Sequence, residues 1–283
     1  MSVDINRAVV LGGGGATGLA WEIGVLEGLR EDGIDLNDNA RVLFGTSAGA
    51  FAATLVASGA DIKRRFDDQF EDDAIEIAIT MAPDLALQYQ EAVDSSGGDA
   101  ISLSKAYGQI ARSSKTVTTD ARLKVVRHRL GTDKWPSKQL RLTAIDADTG
   151  ELVVLDSSSG ISLTDAANAS GAVPGIWPMV SAGGRNWIDG GMISAANVEL
   201  GAGFDRVLVI APVVAAAAQR DSVDVAAAKL SKNATVVVIS PDSEALAAIG
   251  PNVFDPERRG AAALAGQRQA RSSSDEIRAR WLR

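Results

Sequence analysis

A serine between two glycines, at a predicted turn from a strand into a helix, restricts the fold of this sequence more than any other feature. Arg41-Val42-Leu43-Phe44 predicts a short apolar strand, and residues 50–57 predict a buried helix. Gly45-Thr46-Ser47-Ala48-Gly49 joins them and fits the G-x-S-x-G pattern of an exposed nucleophile. In so tight a turn, a Cβ atom at either glycine would collide with the neighbouring backbone. An ordinary turn with a helix cap can carry the same short pattern, so the pattern alone leaves both interpretations open.

A second strand, glycine loop and helix stand near the start of the chain. Arg7–Leu11 predicts a strand, residues 12–18 are mostly glycine, and Leu19–Leu29 has helical periodicity. The bare N–H groups of such a loop can approach an anion closely. Gly13-x-Gly15-x-x-Gly18 matches a dinucleotide fingerprint, so a pyrophosphate is one candidate anion.

The oxyanion of a tetrahedral acyl intermediate is the other candidate anion for this glycine loop. A dinucleotide site needs an acidic residue at the end of the second strand, where it would bind the ribose. In this sequence the Gly-Thr-Ser-Ala-Gly turn occupies that place. The sequence therefore favours the oxyanion, with the N–H of Ala48 as a further donor.

The remaining segments predict one α/β domain over residues 1–283. Two uninterrupted apolar runs, Arg206–Ala211 and Ala234–Ile239, are typical of strands buried on both faces of a parallel sheet. We expect a motif-bearing core over 7–211, a helical cover of the site over 60–115, and a C-terminal strand and helices over 212–283. Further predicted elements are a hairpin (Gln139–Ile145 and Glu151–Leu155), helices at Leu163–Ser170, Val223–Leu230 and Asp242–Ile249, and a surface helix from Gly260 onward.

The composition excludes several classes of function. The chain has no cysteine, so it has neither a disulfide framework nor a thiolate metal site. Its net charge of −8 makes nucleic acid an unfavourable partner and gives no general attraction to anionic membranes. No stretch approaches the ~18 apolar residues that a membrane-spanning helix needs. We expect a cytoplasmic protein without a transmembrane segment.

The single histidine limits the choice of a catalytic base for Ser47. His128 lies between two arginines in a basic amphipathic segment, which is typical of a solvated helix. The base is then a carboxylate, a lysine or an N-terminal amine. Asp189 is the carboxylate best placed for this role, because it follows the apolar pair Trp187-Ile188 at a predicted strand end and precedes Gly190-Gly191. A simple turn would carry the same residues.

Taken together, these motifs resemble the patatin-like phospholipase family. The glycine-rich motif of that family matches residues 13–18, its serine motif matches 45–49, and its Asp-Gly-Gly motif matches 189–191. A segment of small residues and prolines between serine and aspartate, residues 169–178, is also similar. The resemblance implies a three-layer α/β/α fold with a mainly parallel sheet, and a Ser–Asp dyad that needs neither histidine nor a metal or cofactor.

The resemblance also assigns a role to each motif residue. It implies that Ser47 and Asp189 form the dyad, that Gly13, Gly14, Gly15 and Ala48 form the oxyanion hole, and that Gly18, Gly45, Gly49, Gly190 and Gly191 support these motifs. One departure stands at Thr17, where the family usually has Arg or Lys. A cation at that position could assist the oxyanion or brace the loop, so its loss bears on activity.

The function expected from the sequence is hydrolysis of lipid or other carboxylic acyl esters by a serine acyl hydrolase. Such a substrate allows transient contact with a membrane surface. Two alternatives stay open: a non-catalytic family member that binds a lipid or a protein, suggested by Thr17, and a dinucleotide-binding oxidoreductase that uses the glycine loop.

Overall fold

One mixed sheet forms the centre of the computed structural model, which describes residues 5–72, 75–218 and 221–283. Within these residues the sheet has eight strands: β1 (Arg7–Leu11), β2 (Val42–Thr46), β3 (Gln139–Asp146), β4 (Leu152–Leu155), β5 (Val180–Ala182), β6 (Arg185–Asp189), β7 (Arg206–Ile210) and β8 (Thr235–Ile239). Their order is β5-β6-β3-β2-β1-β7-β8, with β4 paired to β3. The pairs among β3, β2, β1, β7 and β8 are parallel, so the sheet is mainly parallel, as predicted.

The α-helices of the described residues are distributed unevenly, and five of them lie between β2 and β3. In chain order, the helices are α1 (Gly15–Glu31), α2 (Leu36–Asn39), α3 (Ala48–Ala57), α4 (Ile62–Asp67), α5 (Pro83–Ser95), α6 (Ala100–Ser113), α7 (Thr119–Leu130), α8 (Leu163–Ser170), α9 (Val223–Leu230), α10 (Ser243–Ile249) and α11 (Arg259–Glu276). The β3–β4 hairpin is antiparallel, and the predicted bounds of β1, α8 and α9 are confirmed.

Helices cover both faces of the sheet, because the strands are apolar on both sides. In β1, Val9 and Leu11 belong to a core that includes residues of α1, α3 and α11, whereas Ala8 and Val10 belong to a second core that includes residues of α9. All four side chains are fully buried. The fold is therefore the expected three-layer α/β/α arrangement.

The helix predicted from Gly260 onward is present as α11, but only one of its sides is exposed. Helix α11 packs closely along α1, and small residues make this approach possible. A Cβ added to Gly24 would overlap the carbonyl oxygen of Ala263, and one added to Gly266 would overlap that of Trp21. The π-helical turn that follows α11 also reaches the core, since Trp281 is fully buried and donates its indole N–H to Ala8 O (3.2 Å).

The helices differ in whether a side chain caps the backbone N–H groups of their first turn. Several helices begin after a residue whose side chain accepts a backbone N–H of the first turn: Asp35, Asp61, Asp99, Thr118, Ser162 and Asp242. Helices α1 and α3 begin after Gly14 and Ser47 and have no side-chain cap. Their N-termini therefore keep N–H groups that a ligand can use.

Candidate active site

The register of the sheet brings the serine turn and the candidate base together. Thr46, the last residue of β2, is paired with Thr143 of β3, and Asp189, the last residue of β6, is paired with Ala144. Strand β4 occupies one edge of β3, along residues 142–145. Strands β2 and β6 must therefore both pair with the opposite edge of β3, where the end of β2 meets the end of β6. Ser47 and Asp189 thus lie beside each other, although they are 142 positions apart in the sequence (189 − 47 = 142).

The serine turn has the strained geometry that its sequence predicts. Ser47 has φ 54° and ψ −116°, in the region of positive φ that residues other than glycine rarely occupy. Its N–H donates to Ser170 Oγ (2.9 Å), which holds the turn against the end of α8. A Cβ at Gly49 would overlap the carbonyl group of Leu11, and Gly49 N–H donates to Gly12 O (2.8 Å).

Of the four predicted oxyanion donors, one N–H is already occupied. Gly13 N–H donates to Ala195 O (2.7 Å), so it is not available to a ligand in this structure. Gly13 instead provides close contact, because a Cβ there would lie 3.2 Å from Ser47 Cβ. Among the described residues, no hydrogen bond involves the N–H groups of Gly14, Gly15 or Ala48. These three groups lie at the N-termini of α1 and α3, where the helix dipoles favour an anion.

Asp189 is a buried carboxylate with one unused oxygen. Its Oδ1 atom accepts the N–H of Gly191 (2.6 Å), while Oδ2 is buried and has no partner among the described residues. Burial raises the pKa of Asp189 to about 6, and the Ser47 hydroxyl, the Gly191 N–H and the charge of Arg122 limit this rise. The Ser47 hydroxyl is thus close enough to influence the carboxylate without forming a regular hydrogen bond. Catalytic hydrogen bonds are often this loose when no substrate is bound.

A buried polar network beneath Ser47 and Asp189 was not predicted from the sequence. Asn197 Nδ2 donates to Gly190 O (3.0 Å) and to Thr46 Oγ1 (3.0 Å), and Thr46 Oγ1 lies 2.8 Å from Thr143 Oγ1. The network connects the residue before Ser47 with the residue after Asp189, so it fixes the distance between the two. Asn197 also adopts a left-handed conformation (φ 49°), which asparagine tolerates better than most residues.

The space around Ser47 is narrow and mostly apolar. Ser47 itself is only 8% exposed, and the side chains of Phe51, Ile77, Trp177 and Phe254 contribute to the walls. Helices α5 and α6 pack beside this site, through an apolar cluster that also contains Trp177, Phe254 and Ile188. The side chain of Tyr89 on α5 is anchored by its hydroxyl, which donates to Pro174 O (2.5 Å). Ile77 and helices α5 and α6, which belong to the segment 60–115, thus contribute to the surroundings of the site.

Neither His128 nor Thr17 is among the described residues that line the Ser47 cavity. His128 is on α7 and lines a neighbouring cavity. Thr17 is fully buried in α1, where its N–H donates to Val253 O (3.1 Å). The glycine loop thus brings no cation to the site. A cation does reach it from α7, since Arg122 lines the cavity of Ser47.

The family model described as patatin-like phospholipase matches residues 9–201 of this chain. Among solved structures, VipD from Legionella pneumophila is similar at 16% identity with a TM-score of 0.47, over 97% of this chain and 67% of VipD. The type III effector protein ExoU is similar at 18% identity with a TM-score of 0.42, over 96% of this chain and 53% of ExoU. The chain thus spans about half the length of ExoU. No curated protein matches the sequence.

No helix of the described residues combines the length and the apolar character needed to cross a bilayer. In the same part of the chain, no group of three or more His, Asp or Glu side chains is arranged to hold a metal ion.

Proposed function

Because this chain belongs to the patatin-like phospholipase family, we propose that it is a serine acyl hydrolase that cleaves lipid or other carboxylic acyl esters. The observation that carries the proposal is the strained Ser47 beside the buried Asp189 carboxylate, with unoccupied N–H groups nearby. A nucleophile, a base and an oxyanion site are the three parts that acyl transfer requires.

In the proposed first step, Ser47 Oγ attacks the ester carbonyl carbon while its proton passes to Asp189 Oδ2. A carbon–oxygen bond forms and the carbonyl π electrons move to the oxygen. The resulting oxyanion accepts hydrogen bonds from the N–H groups of Gly14, Gly15 and Ala48. When the tetrahedral intermediate collapses, the bond to the leaving alkoxide breaks and Asp189 returns the proton to it.

The acyl group, now bound to Ser47 Oγ, is released by water through the same steps. Asp189 takes a proton from the attacking water and then gives it to Ser47 Oγ as that oxygen leaves. A pKa of about 6 suits this base, since it is ionised at neutral pH and yet more basic than an exposed aspartate.

A non-catalytic binding role is supported less well by the site. The positive φ of Ser47 and the unpaired Oδ2 of Asp189 both lower stability. A protein that only binds a lipid or a protein needs neither. Thr17 suggested such a role because it replaces the cation that the family usually has in the glycine loop. Arg122 weakens this argument, since it places a cation in the wall of the Ser47 cavity.

The proposal predicts a characteristic pH dependence of ester hydrolysis. With p-nitrophenyl butyrate, kcat/KM of the wild type should rise with pH through an apparent pKa of about 6 and level off above pH 7, because Asp189 must be ionised to accept the proton. The measurement is initial rates between about pH 4.5 and 8, with Ser47→Ala as the control for background hydrolysis. Equal rates in wild type and Ser47→Ala on both short and long esters would refute the proposed function.

A further inference from the structure

Arg122 on α7 is the one cationic side chain of the Ser47 cavity whose hydrogen-bonding groups are incompletely used within the described residues. The residue is 1% exposed. Its Nε donates to Asn168 Oδ1 (3.3 Å) and its Nη2 donates to Gly171 O (3.2 Å). Its Nη1 atom is buried and has no hydrogen-bond partner among the residues that the structure describes. Buried guanidinium N–H groups are nearly always satisfied, so this atom calls for an explanation.

The orientation of the guanidinium group determines which of its edges stays available for a ligand. Nε and Nη2 share one edge of the planar group, and both bind the end of α8. The flat face lies over Trp177, with the guanidinium carbon 4.1 Å from the ring centroid. The remaining edge carries Nη1. Ser47, Ala48, Gly15, Arg122 and Trp177 line the same cavity.

Within the described part of the chain, no carboxylate forms an ion pair with Arg122. The neighbouring Arg129 shows the contrast, since its guanidinium binds both carboxylate oxygens of Glu76 at 2.8 and 2.6 Å. Burial lowers the pKa of Arg122 to about 9, while the charges of Glu76 and Asp189 oppose this effect. The side chain is therefore still cationic at neutral pH. A buried cation without an ion-pair partner destabilises the folded protein. A bound anion would supply the missing counter-charge and offset that cost.

Helix capping explains only part of this arrangement. Gly171 is the C-terminal cap of α8, and a cation there is favourable to the helix dipole. Capping of α8 uses Nη2 alone, however, and a lysine or an exposed arginine could cap the helix equally well. Neither the cap nor the contact with Trp177 uses Nη1.

We propose that Arg122 Nη1 binds an anionic group of the substrate, a phosphate or a carboxylate, that is carried near the scissile ester. This inference rests on the proposed function, because it assigns a specificity to the same site. The chain as a whole has a net charge of −8, so its surface does not attract an anionic ester in general. Recognition of the anion must then come from this local cation. Guanidinium groups suit both phosphate and carboxylate oxygens.

The test compares esters in matched pairs that differ by one anionic group. The carboxylate pair is p-nitrophenyl valerate and mono-p-nitrophenyl glutarate, which have acyl chains of equal length. The phosphate pair is a monoacylglycerol and the same molecule phosphorylated on its free primary hydroxyl. The proteins are the wild type, Arg122→Gln, Arg122→Lys and, as a control, Arg127→Gln, which makes the same change at an exposed position of α7.

The wild type should have a higher kcat/KM for the anionic ester than for the neutral ester in at least one pair. The pair that shows this preference identifies the anionic group as a carboxylate or a phosphate. Arg122→Gln should lower kcat/KM for that anionic ester on the order of 10- to 100-fold more than for its neutral partner, since only the former loses a charged hydrogen bond. Arg122→Lys should restore part of the preference, and Arg127→Gln should leave it unchanged. Equal losses on both members of each pair would overturn the inference.

A binding measurement keeps the inference testable if no ester is hydrolysed, an outcome that would refute the proposed function alone. Inorganic phosphate, compared with chloride at equal ionic strength, should raise the Tm of the wild type and of Arg127→Gln, because it stabilises the state that binds it. The shift should disappear in Arg122→Gln. An equal rise in Tm with phosphate in the wild type and in Arg122→Gln would overturn the inference. So would the absence of any rise in both proteins, if the wild type also shows no preference for anionic esters.

Discussion

The Asp189→Asn variant is expected to lose ester hydrolysis by a factor on the order of 10³–10⁴, the range seen when a catalytic aspartate is replaced by its amide. Asparagine has nearly the same shape and its Oδ1 atom can still accept the N–H of Gly191. It cannot take a proton from Ser47 Oγ, however. The loss should therefore appear in kcat with the fold intact, and p-nitrophenyl ester kinetics measure it.

The same variant should be more stable than the wild type, and only at neutral or alkaline pH. Burial raises the pKa of Asp189 from 3.8 to about 6, so the folded state holds the proton more tightly than the unfolded state. Ionisation of Asp189 therefore lowers the free energy of unfolding of the wild type. This loss is absent below pH 3.8, develops between pH 3.8 and about 6, and is complete above that pH. Two pKa units correspond to about 3 kcal/mol.

Denaturant unfolding at pH 4 and pH 8 checks this part of the prediction. At pH 8 Asp189→Asn should unfold at a higher denaturant concentration than the wild type, and at pH 4 the two should nearly coincide. A variant that is less stable at pH 8, or that keeps wild-type activity, would contradict the role given to Asp189.

The second large effect is expected for Gly49→Ala. The new Cβ would overlap the carbonyl group of Leu11 and lie 2.7 Å from Gly12 O, and these are backbone atoms that cannot rotate away. The serine turn and the glycine loop must then separate. We expect a loss of about 2–3 kcal/mol or more in the free energy of unfolding, and a decrease in kcat/KM of at least about 10²-fold, since small displacements of a catalytic group have effects of this size.

Gly59→Ala is the matched control for this change. Gly59 follows α3, has a positive φ of 67°, and faces open space. The alanine there should lower stability by about 1 kcal/mol through backbone strain alone and leave activity unchanged. Wild-type kcat/KM in Gly49→Ala would show that the turn and the loop are not coupled as described.

The sequence predicted the strands and turns of the site well, because these depend on local patterns. Apolar runs gave β1 and β7 nearly to the residue, and glycine spacing located both loops. Helix α1 was predicted to begin at Leu19, whereas it begins at Gly15. Glycine is a poor helix former, but a tertiary contact from Thr17 N–H to Val253 O supports this first turn.

Residues that act across long sequence distances were not predictable. Arg122 is one of several arginines in a basic helix, and its burial depends on packing against Asn168 and Trp177. Asn197 stands in an unremarkable run of alanines, with no local signal for its link to Thr46.

The buried side of the C-terminal helix was not predicted, for a related reason. Its many arginines suggested exposure, while the side that meets α1 is made of alanine and glycine, such as Ala263 and Gly266. Small residues give a weak hydrophobic pattern, yet they allow the close contact between backbones that buries this helix.

Covalent labelling with a fluorophosphonate tests the central claim, an activated Ser47, most directly. The reagent reacts with serines that a neighbouring base activates, and intact-protein mass spectrometry counts the adducts. The account predicts one adduct on the wild type, located at Ser47 by peptide mapping, and none on Ser47→Ala. Absence of an adduct on the folded wild type, or equal labelling of Ser47→Ala, would contradict it.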